Sequence, residues 1–95
     1  MDVTIGNFVW DLHKERLNIE KHKVNFVTAM SAFGDPKRLL MFDSRHSQKE
    51  QRYFCIGKVG ERVLTVRFKY DGRDIRMIGA AYWRKWRKFY EKKNN

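Results

Sequence analysis

The chain reads as an α+β domain: a small antiparallel sheet with two N-terminal helices and one C-terminal helix, in the order β-α-α-β-β-β-β-α. Three observations predict this. Apolar residues alternate with a period of two through Arg52–Lys58, Arg62–Tyr70 and Arg73–Ile78, the signature of half-buried strands. They recur near every 3.6 residues on either side of that block, at Phe26, Ala29, Met30 and Phe33 and again at Tyr82, Trp83, Trp86, Phe89 and Tyr90, which is helical spacing. Turn formers stand between these patterns at Gly34-Asp35-Pro36, Val59-Gly60-Glu61 and Asp71-Gly72.

Phe8–Trp10 forms a short strand that leads into Asp11, a good N-cap, and helix formers then run to about Lys21. Leu12, Leu17 and Ile19 give this helix a thin apolar stripe, so Trp10 is expected to anchor it. Val24-Asn25 opens the second helix, which Gly34 closes with a left-handed cap and Pro36 prevents from continuing. Arg38–Phe42 is the next strand, followed by the polar loop Asp43–Glu50. A three-residue turn at Val59-Gly60-Glu61 would set Phe54 opposite Val66, Ile56 opposite Leu64, and Tyr53 beside Arg67. A shift of one residue would turn Phe54 and Ile56 toward water. Centring the following hairpin on Asp71-Gly72 pairs Tyr70 with Arg73, Phe68 with Ile75 and Arg67 with Arg76. Leu64, Val66, Phe68, Ile75 and Met77 then make the core face. Like charges directly opposite cost roughly 0.2–1 kcal/mol, so Arg67 against Arg76 suggests an anion site. The last helix is expected from Ala80 to about Lys93, with an aromatic underside and a basic back. Met1–Gly6 and Lys93–Asn95 are expected to be loose ends.

The 95 residues have room for one domain, spanning 1–95, that buries about 60–65% of its unfolded surface. Lys and Arg number 21 against 11 Asp and Glu, a net charge of +10 that points to a polyanionic partner. Nucleic acid fits better than a membrane, because the one strongly amphipathic helix needs its apolar face for the core. Cys55 is the single cysteine, and no signal peptide or spanning segment is visible, so a reducing cytoplasmic location is expected. His13, His22 and His46 are far apart and no carboxylates cluster at ligand spacing, so neither a metal nor another cofactor is expected.

Arg45-His46-Ser-Gln-Lys-Glu50-Gln-Arg52 gathers an imidazole, a carboxylate and two guanidiniums in one loop and strand start. Metal-free RNA cleavage uses these groups: a base for the 2′-hydroxyl, an acid for the leaving 5′-oxygen, and cations for the phosphoryl charge. Glu50 and His46 are the candidates for proton transfer, and Arg52, Arg67 and Arg76 for the phosphate. Arg45 adds positive charge, and Tyr53 offers a ring for an unpaired base. The plainer reading is a solvated loop in which Glu50 pairs with Arg52.

Phe8-x-Trp10-Asp11, Asn18-x-x-Lys21-His22, Phe33-x-Asp35-Pro36, Asp43-x-Arg45-His46, Glu50-x-Arg52, Ile56-Gly57 and Ile75-Arg76-x-Ile78 resemble the BrnT toxins of type II toxin-antitoxin systems. The resemblance implies a RelE-like ribonuclease fold and RNA cleavage that halts translation. It also implies neutralisation by a BrnA antitoxin through which the complex reaches DNA. Arg45, His46, Glu50, Arg52 and Arg76 occupy positions where the family has the same residues. Gly79 and Ala81 stand where the family usually has Ser and Arg, Asp71 where it usually has Arg, and Arg87 where it tends to have Glu. Ala81 in place of that family's Arg implies weakened cutting, or a relative that binds nucleic acid, antitoxin or both without cutting.

Overall fold

The computed structural model describes residues 1–95. Strands β1 (Asp2–Ile5), β2 (Phe8–Asp11), β3 (Leu39–Phe42), β4 (Tyr53–Val59), β5 (Arg62–Asp71) and β6 (Asp74–Ala81) form one sheet in the order β1-β2-β6-β5-β4-β3. Helices α1 (Leu12–His22) and α2 (Phe26–Ala32) follow β2, and α3 (Arg84–Lys93) follows β6. The expected order holds with one strand added at the start. No helix is long and apolar enough to cross a membrane.

Several expectations are corrected. The N-terminal residues are not loose: β1 pairs with β2 across a turn at Gly6-Asn7, where Gly6 has φ +60°. Gly-Asn is itself a two-residue hairpin signal. The sheet is mixed, since β2 runs parallel to β6 through Phe8↔Ile75 and Val9↔Arg76. Strand β6 continues through Ala81, so α3 starts four residues later than expected. Gly34 keeps an ordinary φ, whereas Lys23 at the end of α1 takes the left-handed conformation, φ +61°.

Both hairpin registers also change, for one reason. Gly60 (φ +63°) and Gly72 (φ +64°) each occupy the first central position of a two-residue turn, giving Gly60-Glu61 and Gly72-Arg73. Tyr53 therefore faces Phe68 and Phe54 faces Arg67. Asp71 faces Asp74 and Lys69 faces Arg76; beyond an irregularity at Arg67/Phe68, Arg67 faces Gly79. The Arg67–Arg76 apposition does not form.

These registers give the sheet two covered faces. Under α1 and α2 lies the main core, including Trp10, Phe26, Cys55, Val66, Phe68 and Met77. On the opposite face α3 lays Tyr90, Trp86 and Phe89 over Ile56, Val63 and Phe54. Phe54 and Ile56 thus leave the expected face without entering water; each such side chain gains about 1.5–3 kcal/mol when fully buried.

Three devices fix the helices. Buried Asn18 in α1 donates to the carbonyls of Val24 and Ala80, both at 2.9 Å, and accepts from the Ala80 N–H at 3.0 Å, standing in for a strand at the β6 edge. Gly57 lets α2 come close, since a Cβ there would lie 2.3 Å from the Ala32 carbonyl oxygen. Asp35 accepts from the backbone N–H of Lys37 and Lys58 and from the Tyr90 hydroxyl, tying the end of α2 to β4 and α3. These bonds hold its carboxyl below the usual range although burial pushes the other way. Burial raises the Tyr90 hydroxyl to about 12, and Asp35 adds to the rise.

Candidate active site and nucleic-acid interface

The segment between β3 and β4 is fastened at its base. The Asp43 N–H donates to the Arg52 carbonyl at 2.8 Å, while Ser47 Oγ donates to the Asp43 carbonyl at 2.6 Å and accepts from the Arg52 N–H at 2.9 Å. Residues Ser44–His46 make a single 3-10 turn. That turn brings His46 Nδ1 to 2.8 Å from Oδ2 of Asp43, a residue only 3% exposed. With Nδ1 engaged, Nε2 is the nitrogen left for proton transfer, and the ring is half exposed. Sequence reasoning singled out His46 but neither Asp43 as its orienting partner nor Ser47. An Asp three residues before a His in a tight turn was the available signal.

Glu50 accepts from Lys69 Nζ at 3.0 Å through one oxygen and from Arg52 Nε at 3.2 Å through the other. The Lys69 bond first, then the nearby charges, hold its carboxyl below the usual range. It is ionised at neutral pH and keeps free lone pairs on both oxygens. Lys69 was not among the expected site residues; its alternation with Arg67 along β5 was the signal for it.

Arg45, His46, Glu50 and Arg52 line one open hollow of about 350 Å³, so the segment joins four of the seven expected residues. Arg76 lies on the same face beside Lys69, in a smaller hollow of about 50 Å³ that it shares with Glu50. Its guanidinium is occupied: Nη2 and Nη1 donate to the two Asp2 oxygens at 2.8 and 3.2 Å, and Nε lies 3.7 Å from Asp71. Tyr53 is carried to the face opposite Arg67, where it stacks on Phe68 at 5.7 Å between Phe42 and Tyr70.

Arg67 lies in a neighbouring groove of about 330 Å³ between this segment and the start of α3. Arg45 and His46 form its near wall, and Trp83, Arg84, Lys85 and Trp86 its far wall, with Phe54 and Asp43 also lining it. Arg67 Nε is buried without a hydrogen-bond partner. Cys55 is enclosed in the core, where burial lifts its thiol to about 12, so it is no nucleophile. Nowhere do three His, Cys, Asp or Glu side chains converge on a point that could hold a metal.

The family model for the ribonuclease toxin BrnT of type II toxin-antitoxin systems matches residues 10–87, from β2 into α3. The chain belongs to the BrnT family. No curated protein matches it. Two buried polar atoms of β5 are left without partners. Ala81 faces Thr65, whose buried hydroxyl lacks a partner, and Gly79 faces Arg67, whose Nε lacks one too.

Proposed function

We propose that this BrnT-family chain is a metal-independent endoribonuclease whose cutting centre is the hollow lined by Arg45, His46, Glu50 and Arg52. The observation that carries this is the pairing, in one hollow, of an imidazole oriented by a buried carboxylate with a carboxylate kept ionised by two cations. A carboxyl held below its ordinary range can accept a proton at neutral pH but has none to give. Glu50 is therefore the base that takes the 2′-hydroxyl proton, and His46 Nε2 is the acid. The 2′-oxygen attacks phosphorus, the P–O5′ bond breaks, and the proton from His46 goes to the departing 5′-oxygen. The products carry a 2′,3′-cyclic phosphate and a 5′-hydroxyl. Arg52 and Arg45 offset the charge gathered on the phosphoryl oxygens. Arg76 contributes to the phosphate only once Asp2 releases it.

In the cell this activity would halt translation from the cytoplasm, on a RelE-like scaffold, with a BrnA-like antitoxin as the restraining partner and DNA reached through that antitoxin. The test is incubation of the full chain with RNA in EDTA, beside Glu50→Gln and His46→Gln. Decay that generates new 5′-hydroxyl ends, lost in both variants, is expected. Equal decay in all three proteins rejects the assignment.

A second reading, a family member that binds without cutting, is favoured by the unpartnered Thr65 hydroxyl and Arg67 Nε opposite Ala81 and Gly79. On that reading Gly79→Ser with Ala81→Arg creates toxicity that the unaltered chain lacks. Growth arrest by the unaltered chain excludes it.

A further inference from the structure

The groove beside the proposed cutting centre has a chemistry of its own. Its walls combine aromatic surface from Trp83, Trp86 and Phe54 with the cations of Arg45, Arg67, Arg84 and Lys85. None of these four cations is in an ion pair, in contrast to Arg52, Lys69 and Arg76 nearby. The only carboxylate in the wall, Asp43, is engaged by His46. The Arg67 guanidinium makes no hydrogen bond or ion pair within the chain, so the part of it that faces the groove is free to take an anion. Trp83 is the N-cap residue of α3 and offers no side-chain acceptor, so the first-turn amides beside Arg84 and Lys85 add donors without acceptors.

We propose that this groove is a subsite for one nucleotide of unpaired RNA, its base against the Trp83 and Trp86 indoles and its phosphate on Arg67 and Arg84. The proposal rests on the nuclease reading only for the identity of the strand. Small-ligand clefts run from roughly 300 to 1,000 Å³, so a groove of about 330 Å³ takes a single nucleotide rather than a folded RNA element. Stacking on indole requires a base free of its helix, which excludes duplex as the preferred ligand. Because Arg45 and His46 line both the groove and the adjoining hollow, a strand seated here would present its next phosphodiester to the cutting centre.

The test uses the full chain and an uncleavable 2′-O-methyl hexanucleotide, read by tryptophan fluorescence; Trp10 is enclosed in the core and serves as a silent background. Quenching on binding is expected. Trp83→Ala should weaken binding roughly 5- to 100-fold and remove most of the quench. Arg84→Gln, an exposed helix position that cannot unfold the core, should make the salt dependence shallower by about 0.7 in slope. Glu50→Gln, which frees Lys69 and Arg52, should keep the full quench, because the quench arises at the Trp83 and Trp86 indoles. Unchanged binding in both Trp83→Ala and Arg84→Gln overturns the subsite, as does equal competition by inorganic polyphosphate of matched charge or by RNA duplex. Loss of cleavage in Glu50→Gln alongside those results leaves the cutting centre intact. Cleavage that survives Glu50→Gln removes the cutting centre without touching the subsite.

Discussion

Replacing Asn18 with Leu removes three hydrogen bonds in one step and leaves all three backbone partners inside the fold. The Ala80 N–H loses its acceptor, and the Val24 and Ala80 carbonyls lose their donor. An orphaned buried group costs about 1–3 kcal/mol, with carbonyls at the low end because each keeps a second lone pair, so the sum is about 3–5 kcal/mol. A domain of this size has a total stability of roughly 5–14 kcal/mol. Asn18→Leu should therefore lower the melting temperature by about 12–40 °C. Urea unfolding followed by tryptophan fluorescence should give a lower midpoint with an unchanged m value, because the surface exposed on unfolding is the same. Asn18→Asp should be at least as damaging, since it retains only the acceptor and points a carboxylate at two carbonyls. A loss below about 1 kcal/mol for Asn18→Leu, or tolerance of Asn18→Asp, would refute the strand-substitute role.

Gly57→Ala must displace α2 from β4, and the overlap with the Ala32 carbonyl should cost about 1–3 kcal/mol, visible as a lower melting temperature in calorimetry. Asp43→Asn should leave the chain folded but lower ribonuclease turnover by about 10²-fold or more, because His46 loses the carboxylate that orients it. Glu50 has a folded pKa below its unfolded one, so its ion pairs stabilise the fold above the unfolded value of about 4.3 and fade as pH falls through the depressed one. The acid limb of kcat/KM should accordingly lie below about pH 4.3. A limb above pH 6 would assign the base to another group.

Element types were legible because period and turn chemistry are local properties. The registers were not, because they depended on which residue of each turn carried positive φ. Asp71-Gly72 invites the glycine into the second central position, yet Gly72 takes the first and Asp71 extends β5 to pair with Asp74. A one-residue error at Gly60 moved Tyr53 and Phe54 to opposite faces. A three-residue turn at Gly60 is favoured only where one face of β4 meets water, and α3 supplies a second core there. The Arg45–Arg52 cluster survived these errors because its members are close in sequence and local geometry holds them together. Arg67 and Arg76 were joined only through the register, and they part with it.

Of the 21 Lys and Arg side chains, the three held in ion pairs lie near the proposed cutting centre. Asp2 and Asp71 take Arg76, and Glu50 takes Lys69 and Arg52. Each pair is partly exposed and contributes little stability. What the pairs do is lower the potential at that side, while Arg45, Arg67, Arg84 and Lys85 around the groove are left unpaired. Phosphates drawn to the groove would reach the Glu50 side as the strand extends across His46. Asp2→Asn frees the Arg76 guanidinium, so it should steepen the salt dependence of RNA binding by up to about 0.7 in slope. Binding by this variant that matches the unaltered chain at every salt concentration would mean that Arg76 lies outside the path of the strand.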